Sequence, residues 1–429
     1  MLTKKVTSKV YGELRSDLFK DNLNYVSELA IVHGTPLFVY EENIIRERCQ
    51  DFKRELPGIN LRYACKANTL GAILKIIKSE GLMIDAVSQG EVWRCLKTGY
   101  QPEEMIFTSD DGSHDTLEYM FDNNIMVNLG SLDDIERYGK MKFRNPNIAV
   151  RINPGMGTGH HLTCTTAGPY SKHGIYHTQI DELQKIAQEH SLNIKGVHTH
   201  AGSGNDLDRW LNIVDKSLCI AKRFENLDFV NLGGGFPTVY NSLTEKEFNL
   251  HEFAPRLLER LKKFKKEYGK VQFELEPGRY FLADSGSLIT EVLGLKNTSE
   301  MTFLMINAGF NNLVRPMAYG AYHPIAVIAN GERKKSNVVV AGNLCESGDV
   351  FTRDEIGHML PRELALAKPD DLVVISCVGA YGTSMQSNYN SMLLPTEVLI
   401  DTNGFSHVIR EHQQFEQLVI GEKIPKHLS

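Results

Sequence analysis

Through the first two thirds of the chain, short apolar runs alternate with amphipathic stretches. The runs LRYACKA (61–67), LMIDAVS (82–88), EMIFTSD (104–110), NIMVNLGS (124–131), NIAVRINPG (147–155), NIKGVHTHAGS (193–203), FVNLGGGF (229–236) and VQFELEPGR (271–279) read as strands. Between them, QGEVWRCLKTGY, SLDDIERYGK, TQIDELQKIAQEHS and PRLLERLKKFKKEYG place apolar residues near helical spacing. Alternating strand and helix implies parallel strands with crossovers, and eight such units predict a closed (β/α)8 barrel, although a doubly wound open sheet uses the same alternation.

Beyond residue 285 the rhythm changes. SLITEVLGL, MTFLMINAG, HPIAVIAN, SNVVVAG, DLVVISCVGA, TEVLID and HVIREH are strand-like, with turn signals between them and few long helical patterns. The expected organisation is a barrel over 36–284 and a mostly β domain over 285–429. An N-terminal segment, 1–35, holds a candidate strand (SKVYGEL) that packs with the β domain. No low-complexity linker or internal repeat interrupts the chain.

Composition narrows the function classes. The chain has 429 residues, 42% hydrophobic and 23% charged, ordinary for a globular protein of two or three domains. With 47 Lys+Arg against 53 Asp+Glu and no basic run interleaved with aromatics, nucleic acid is an unfavoured partner and a small molecule is expected. The N-terminus lacks an apolar signal core, and no stretch approaches the roughly 18 apolar residues of a membrane span, so the expected location is cytoplasmic. Seven scattered cysteines without a C-x-x-C pair argue against a disulfide framework and a cysteine zinc site.

The polar residues of the proposed strands carry the chemistry. Lys66, Asp85, Arg151, His198, His200, the GGG of 233–235 and the EPGR of 276–279 fall at or near C-terminal strand ends, the rim where barrel active sites assemble. Each has a plain alternative. Lys66 alone reads as a solvated loop lysine, and Glu276 alone as an ion-pair partner of Arg279. NLGGGFP reads either as a phosphate cradle of unobstructed N–H groups or as a tight turn, and neither glycine-rich stretch has Rossmann spacing. His198 and His200 point to one face, as a metal pair, as core histidines, or with one imidazole stacked on a planar ring while Ser203 and the glycines hold a phosphate. No third ligand of fixed spacing accompanies them, so no metal is expected.

Taken together, a lysine, a phosphate cradle, a stacking imidazole and a carboxylate facing a pyridine nitrogen describe a pyridoxal 5'-phosphate site with the cofactor carried on Lys66. A lysine attacking carbonyls near neutrality needs its ordinary pKa of about 10.4 lowered by desolvation or nearby cations, which a buried strand end would supply.

Further along stand NAGFNNLVRPMAYGAYH (307–323), NLCESGDVF (343–351) and VGAYGTSMQSNYN (378–390). With YACKAN, RINPGMGTGHH, H-x-H-x-GSG, NLGGGF and LEPGR, in this order from HGTPLFVYEE (33–42) to beyond PTEVLI (395–400), the chain resembles the diaminopimelate decarboxylases. These are fold-type III pyridoxal-phosphate enzymes related to ornithine and arginine decarboxylases and, by barrel, to alanine racemase. The resemblance implies that Lys66 binds the cofactor covalently, that His200 stacks on its ring, and that Ser203, Gly234 and Gly235 hold its phosphate. Glu276, followed by Gly278 and Arg279, meets the pyridine nitrogen, and Asp85, Glu91 and Arg151 support the cofactor. It further implies that Cys345 protonates the substrate carbon after carbon dioxide leaves, and that Tyr381 lies near phosphate and substrate. In the family the equivalents of Cys345 and Glu346 come from a partner subunit, which implies a homodimer with shared sites. By its own sequence context Cys345 reads as a buried structural thiol.

Substrate choice rests on the distal end of diaminopimelate, which needs a cation clamp for a carboxylate and an acid for an ammonium. Arg315 and Tyr319 of RPMAYG, with Arg279, supply the first, and Glu346 the second. Arg279 discriminates less, because ornithine-type relatives share EPGR. Two positions depart from the family, Ala201 after the second histidine and Gln386 before SNYN. They leave room for a related decarboxylase of D-lysine, D-ornithine, ornithine, arginine or a modified amino acid. A catalytically silent relative would be expected to lack the lysine or the cysteine, and a racemase of this fold would not need CESGD.

Overall fold

The computed structural model describes residues 8–157, 166–200 and 202–428. The eight apolar runs form strands β1 (Ile59–Ala64), β2 (Met83–Ala86), β3 (Met105–Thr108), β4 (Met126–Leu129), β5 (Asn147–Asn153), β6 (Asn193–His198), β7 (Phe229–Asn231) and β8 (Gln272–Leu275). Each pairs in parallel with the next, and β8 returns to β1, so the sheet closes. Closure decides between the two architectures that the alternating pattern allows.

Contacts divide the chain into two units. One, Ile45–Val239 with Thr244–Leu282, contains the barrel, and the other comprises Met1–Ile44, Tyr240–Leu243 and Ala283–Ser429. In the barrel unit the longest helix, Leu250–Tyr268, buries Leu250, Phe253, Ala254, Leu257, Leu261 and Phe264. That spacing of three and four residues is the stripe a helix presents to a core.

Alternate residues of the barrel strands point into the ring, because strand side chains have a period of two. At the floor, Ile106, Ala149 and Phe229 form an apolar cluster. Gly196 is required there, since a Cβ would come within 2.1 Å of the Phe229 ring. One layer higher, Arg62 Nε and Nη2 donate to Glu274 Oε2 and Oε1 at 2.7 and 2.8 Å, a buried two-pronged pair.

The second unit is β-rich. Its sheet runs Ser8–Gly12, Ile325–Asn330, Leu372–Ser376, Gly286–Asn297, Thr302–Ile306, Lys335–Ala341 and Arg362–Ala365. Leu37–Glu41 pairs with both Gly286–Asn297 and Thr396–Ile400, and the latter pairs with Ser406–Arg410. Leu37–Glu41 therefore lies in the β-rich unit, whereas the sequence reading starts the barrel at residue 36. A continuous apolar strand has the same pattern in either setting, and only its partners distinguish them. The unit's core gathers Leu14, Phe19 and Val26 with Leu37, Val39, Ile289, Val374 and Val398. Among the described residues no helix is long and apolar enough to cross a membrane.

Candidate active site

The C-terminal ends of β1, β7 and β8 interlock. Lys66 sits in the turn Cys65–Ala67 directly after β1. Ala64 N–H donates to Pro277 O at 3.2 Å, and a Cβ on Gly278 would stand 3.1 Å from Ala64 Cβ and 3.3 Å from Ala67 Cβ. The EPGR turn thus lies against the turn carrying Lys66, and glycine allows the approach. Glu276 N–H donates to Gly233 O at 2.9 Å, and a Cβ on Gly234 would come 2.0 Å from Glu276 O.

Glu276 is the centre of a buried polar chain. Its Oε1 accepts from Asn231 Nδ2 at 2.7 Å, and its Oε2 lies 3.1 Å from His198 Nε2, at ion-pair distance but off the line of an ideal hydrogen bond. His198 Nδ1 meets Asn128 Nδ2 at 2.9 Å, and Asn128 Nδ2 also reaches Thr108 Oγ1 at 3.1 Å. With Nδ1 accepting, the His198 proton sits on Nε2 and faces Glu276. Burial alone would push the Glu276 carboxyl up, but His198 and the Lys66 ammonium outweigh it and hold it at about 2. Asp85 on β2 goes the other way, well above the ordinary carboxyl range, through burial and then the charge of Glu276. Two neighbouring buried carboxyls are thereby split into an ionised one and a neutral one, the pattern of acid–base sites. The described partners of Glu276 are Asn231 and His198 rather than the Arg279 of the plain ion-pair alternative.

His200 is held neutral, well below its ordinary range, by burial and then by the cations Lys66 and Arg151. Its Nδ1 accepts from Gly234 N–H at 3.1 Å, which fixes the ring. The two imidazoles lie 6.4 Å apart, 18° from parallel, with their described nitrogen contacts made to different partners, an arrangement unsuited to one metal ion. No group of three His, Cys, Asp or Glu residues among those described could hold a metal. The glycine run divides its labour. Gly233 N–H donates to Asn231 Oδ1 at 2.8 Å and Gly234 N–H to His200, leaving Gly235 as the one whose N–H carries no bond among the described residues. Gly235 also has φ +96°, and a Cβ there would stand 1.9 Å from Gly202 O, next to Ser203. Gly234 therefore serves by orienting the imidazole.

Glu91 caps its helix, Gln89–Lys97, accepting from Val87 N–H at 2.9 Å while Ser88 Oγ accepts from Glu91 N–H at 3.2 Å. Arg151, half-buried on β5 opposite His198, feels the charges of Glu276, Asp110 and Asp85. Lys66 departs from expectation: it is exposed, between buried Cys65 and Ala67. The single-turn 3-10 segment directs its side chain out of the core towards the rim charges. Ala201, and residues 158–165 of the GMGTGHH stretch, lie outside the described residues.

The remaining candidates belong to the β-rich unit. Cys345 is exposed, against the structural reading of its context. Its N–H donates to Asn390 Oδ1 at 2.9 Å, Tyr389 OH donates to Glu346 Oε2 at 3.4 Å, and Asp349 accepts from Leu344 N–H and Phe310 N–H, each at 2.8 Å. The CESGD and SNYN motifs thus form one unit of structure. Arg315 opens the short helix Arg315–Tyr319 and is buried, while Tyr319 and Tyr381 are half-buried, Tyr381 at φ +60°. The Gln386 side-chain amide is shielded on both atoms without a described partner, and nothing in the structure explains it.

Sequence reasoning assigns no role to Asn128, Asn231, His323 or Asn390. For the two barrel residues the available signal is a carboxamide at an inward position of an apolar strand. The site fits pyridoxal phosphate on its own atoms: an ammonium, an oriented neutral imidazole, an ionised carboxylate, a backbone approach that any Cβ would fill, and a buried Asp85 Oδ1 without a described partner.

Residues 42–283 match the family model described as the pyridoxal-binding domain of the pyridoxal-dependent decarboxylases. The chain is 36% identical over 414 residues to the diaminopimelate decarboxylase of Escherichia coli (strain K12), covering 94% of this chain and 97% of that one. A crystal structure of a diaminopimelate decarboxylase superposes with a TM-score of 0.87 at 35% identity over 93% of this chain and 96% of the other. The Helicobacter pylori diaminopimelate decarboxylase, complexed with L-lysine, gives 0.83 at 31% identity over 92% and 98%.

Proposed function

Because the chain belongs to the pyridoxal-dependent decarboxylases and, within them, to the diaminopimelate decarboxylases, we propose that it removes carbon dioxide from the D-centre of meso-2,6-diaminopimelate to leave L-lysine, the last step of lysine biosynthesis. The observation that carries this reading is the rim of the barrel, where Lys66, neutral His200 and ionised Glu276 come from adjoining turns.

Bound pyridoxal phosphate supplies the electron sink that lets a carboxylate leave a carbon bearing an amino group. Lys66 would hold the cofactor covalently, its ammonium standing at the rim beside the end of β1. Glu276 would keep the proton on the pyridine nitrogen, a task suited to a carboxylate held at about 2. His200, neutral and fixed by Gly234 N–H, would pack against the ring, while Asp85, Glu91 and Arg151 would set the charge and shape around it. Gly235 N–H and the Ser203 hydroxyl would donate to the phosphate, and Tyr381 would act near phosphate and substrate. Cys345 gives its Sγ proton to the α-carbon once carbon dioxide has left. Arg315, Tyr319 and Arg279 take the distal carboxylate, and Glu346 the distal ammonium.

The enzyme works as a homodimer in which each site receives Cys345 and Glu346 from a second copy. The exposure of both residues in the single chain supports this. Free cysteines, among them the proposed proton donor, fit a reducing cytoplasm. Carbon dioxide release from meso-diaminopimelate, measured beside ornithine, arginine, lysine and D-lysine, tests the substrate, and preference for any of the latter overturns it. Cys345→Ala should lose about 10²- to 10⁴-fold in kcat, and unchanged turnover would remove Cys345 as the proton donor. Mixing inactive Lys66→Ala and Cys345→Ala chains should restore activity if sites are shared.

A further inference from the structure

The segment RPMAYGAYHP carries, besides the proposed clamp Arg315, a histidine with no assigned task. We propose that His323 and Tyr240 are positioning residues that orient the Arg315 guanidinium for the distal carboxylate, so that selectivity for a substrate with two carboxylates depends on a neutral histidine held in one tautomer. The inference rests on the reading of Arg315 as that clamp.

The geometry fixes the tautomer from both ends. Arg315 Nη1 lies 2.9 Å from His323 Nε2, and His323 Nδ1 lies 3.1 Å from the backbone oxygen of Ser376. A guanidinium only donates, so Nε2 is the acceptor. A carbonyl oxygen only accepts, so Nδ1 carries the hydrogen. The two requirements agree on one neutral form. Arg315 and His323 are both buried, at 3% and 1% exposure, so water is a poor substitute for either contact.

Tyr240 closes the arrangement. The guanidinium carbon stands 4.6 Å above its ring centroid, and the His323 ring meets the same tyrosine edge-on, with centroids 5.2 Å apart at 76°. The aromatic face fixes the plane of the fork and the imidazole fixes its rotation within that plane. Gly320 brings His323 back towards Arg315: it ends the short helix at φ +58°, and a Cβ there would come 2.1 Å from Glu355 N. Arginine suits a carboxylate because its donors form a rigid fork, and a fork discriminates only when its direction is set in advance. An Arg315 left to rotate would keep its charge and lose much of its preference for a dicarboxylate.

The test compares holoenzyme variants on two ligands, meso-diaminopimelate and D-lysine, which lacks the distal carboxylate. Affinity for D-lysine is read as KM or as a competitive inhibition constant. His323→Leu should raise KM for diaminopimelate about 10- to 100-fold, the worth of one hydrogen bond to a charged group, with kcat little changed and D-lysine affinity unchanged. His323→Gln, whose amide oxygen can stand where Nε2 stood, should recover most of the loss. Tyr240→Leu should raise the same KM by a smaller factor. Arg315→Gln is the reference. If it destroys the preference for diaminopimelate while His323→Leu leaves it intact, the positioning role is rejected and the clamp stands. If Arg315→Gln leaves the preference intact, the clamp reading fails and this inference with it. An equal loss on both ligands from His323→Leu, or no recovery with His323→Gln, would show a structural residue only and would also overturn the proposal.

Discussion

Two layers of the barrel interior use the same side chain for opposite ends. Glu274 and Glu276 stand one strand period apart at the end of β8, both buried. Glu274 is spent on Arg62, which grips it with two nitrogens, so its charge is cancelled inside the protein. Glu276 has only an uncharged amide and an imidazole as described direct partners, Asn231 and His198. With the nearby Lys66 ammonium these contacts keep it ionised without a direct salt bridge to arginine or lysine, and its charge stays available to a cationic ring nitrogen. The position along the strand decides the partner, and the partner decides whether a buried carboxylate is scaffold or chemistry. Asn231 donates to both, at 3.3 Å to Glu274 Oε2 and 2.7 Å to Glu276 Oε1, and links the two layers.

The largest effect that bears on this contrast lies at the rim. Lys66→Ala should lower turnover roughly 10⁴-fold or more and abolish the visible absorbance of lysine-bound cofactor, with unfolding free energy almost unchanged because the side chain is exposed. Persistence of the band would reject Lys66 as the attachment point. At the layer below, Arg62→Met should cost about 3–5 kcal/mol of stability by stranding a buried carboxylate, while Arg62→Met with Glu274→Leu should return most of it. Denaturant titration of both variants checks this, and a double variant no more stable than the single one would show that the layer does more than hold the barrel.

Glu276→Gln keeps the shape of the rim and removes its charge. It should lower kcat by about 10²- to 10³-fold and shift the bound-cofactor spectrum, with the folded state retained. Near-normal turnover would place the task of Glu276 elsewhere.

The smallest effect is confined to acid. The Glu276 carboxyl titrates near 2 in the folded chain against an ordinary 4.5. A depressed carboxyl contributes stability that is complete above its unfolded value and is lost as pH falls towards the folded one. Between pH 4.5 and about 2 the wild type should therefore lose more stability than Glu276→Gln, and parallel acid limbs in circular dichroism would contradict the ionised state assigned to Glu276.

The barrel was legible because its strands are largely buried on both faces and so read as short, mainly apolar runs between helical patterns. The same property hid the allegiance of Leu37–Glu41, whose pattern matches a barrel strand although its hydrogen bonds go to Gly286–Asn297 and Thr396–Ile400. Arg362–Ala365 was too short and too polar to announce a strand, and it forms one by pairing with Lys335–Ala341. At the site, the residue types and their places at strand ends were readable. Their surroundings were not: Lys66 was expected at a buried strand end and stands exposed, and the Gly234 N–H meets His200 Nδ1 at 3.1 Å.

By itself the sequence determined the fold class, the cofactor chemistry and the family, because periodicity, strand-end placement and ordered motifs are local properties of a chain. Only the tertiary structure decided which carboxylate is ionised, which tautomer His198 and His323 adopt and which glycine N–H remains for a ligand. Those are set by groups from distant segments that meet within about 3 Å, where burial and a single hydrogen bond outweigh anything the neighbours in sequence impose.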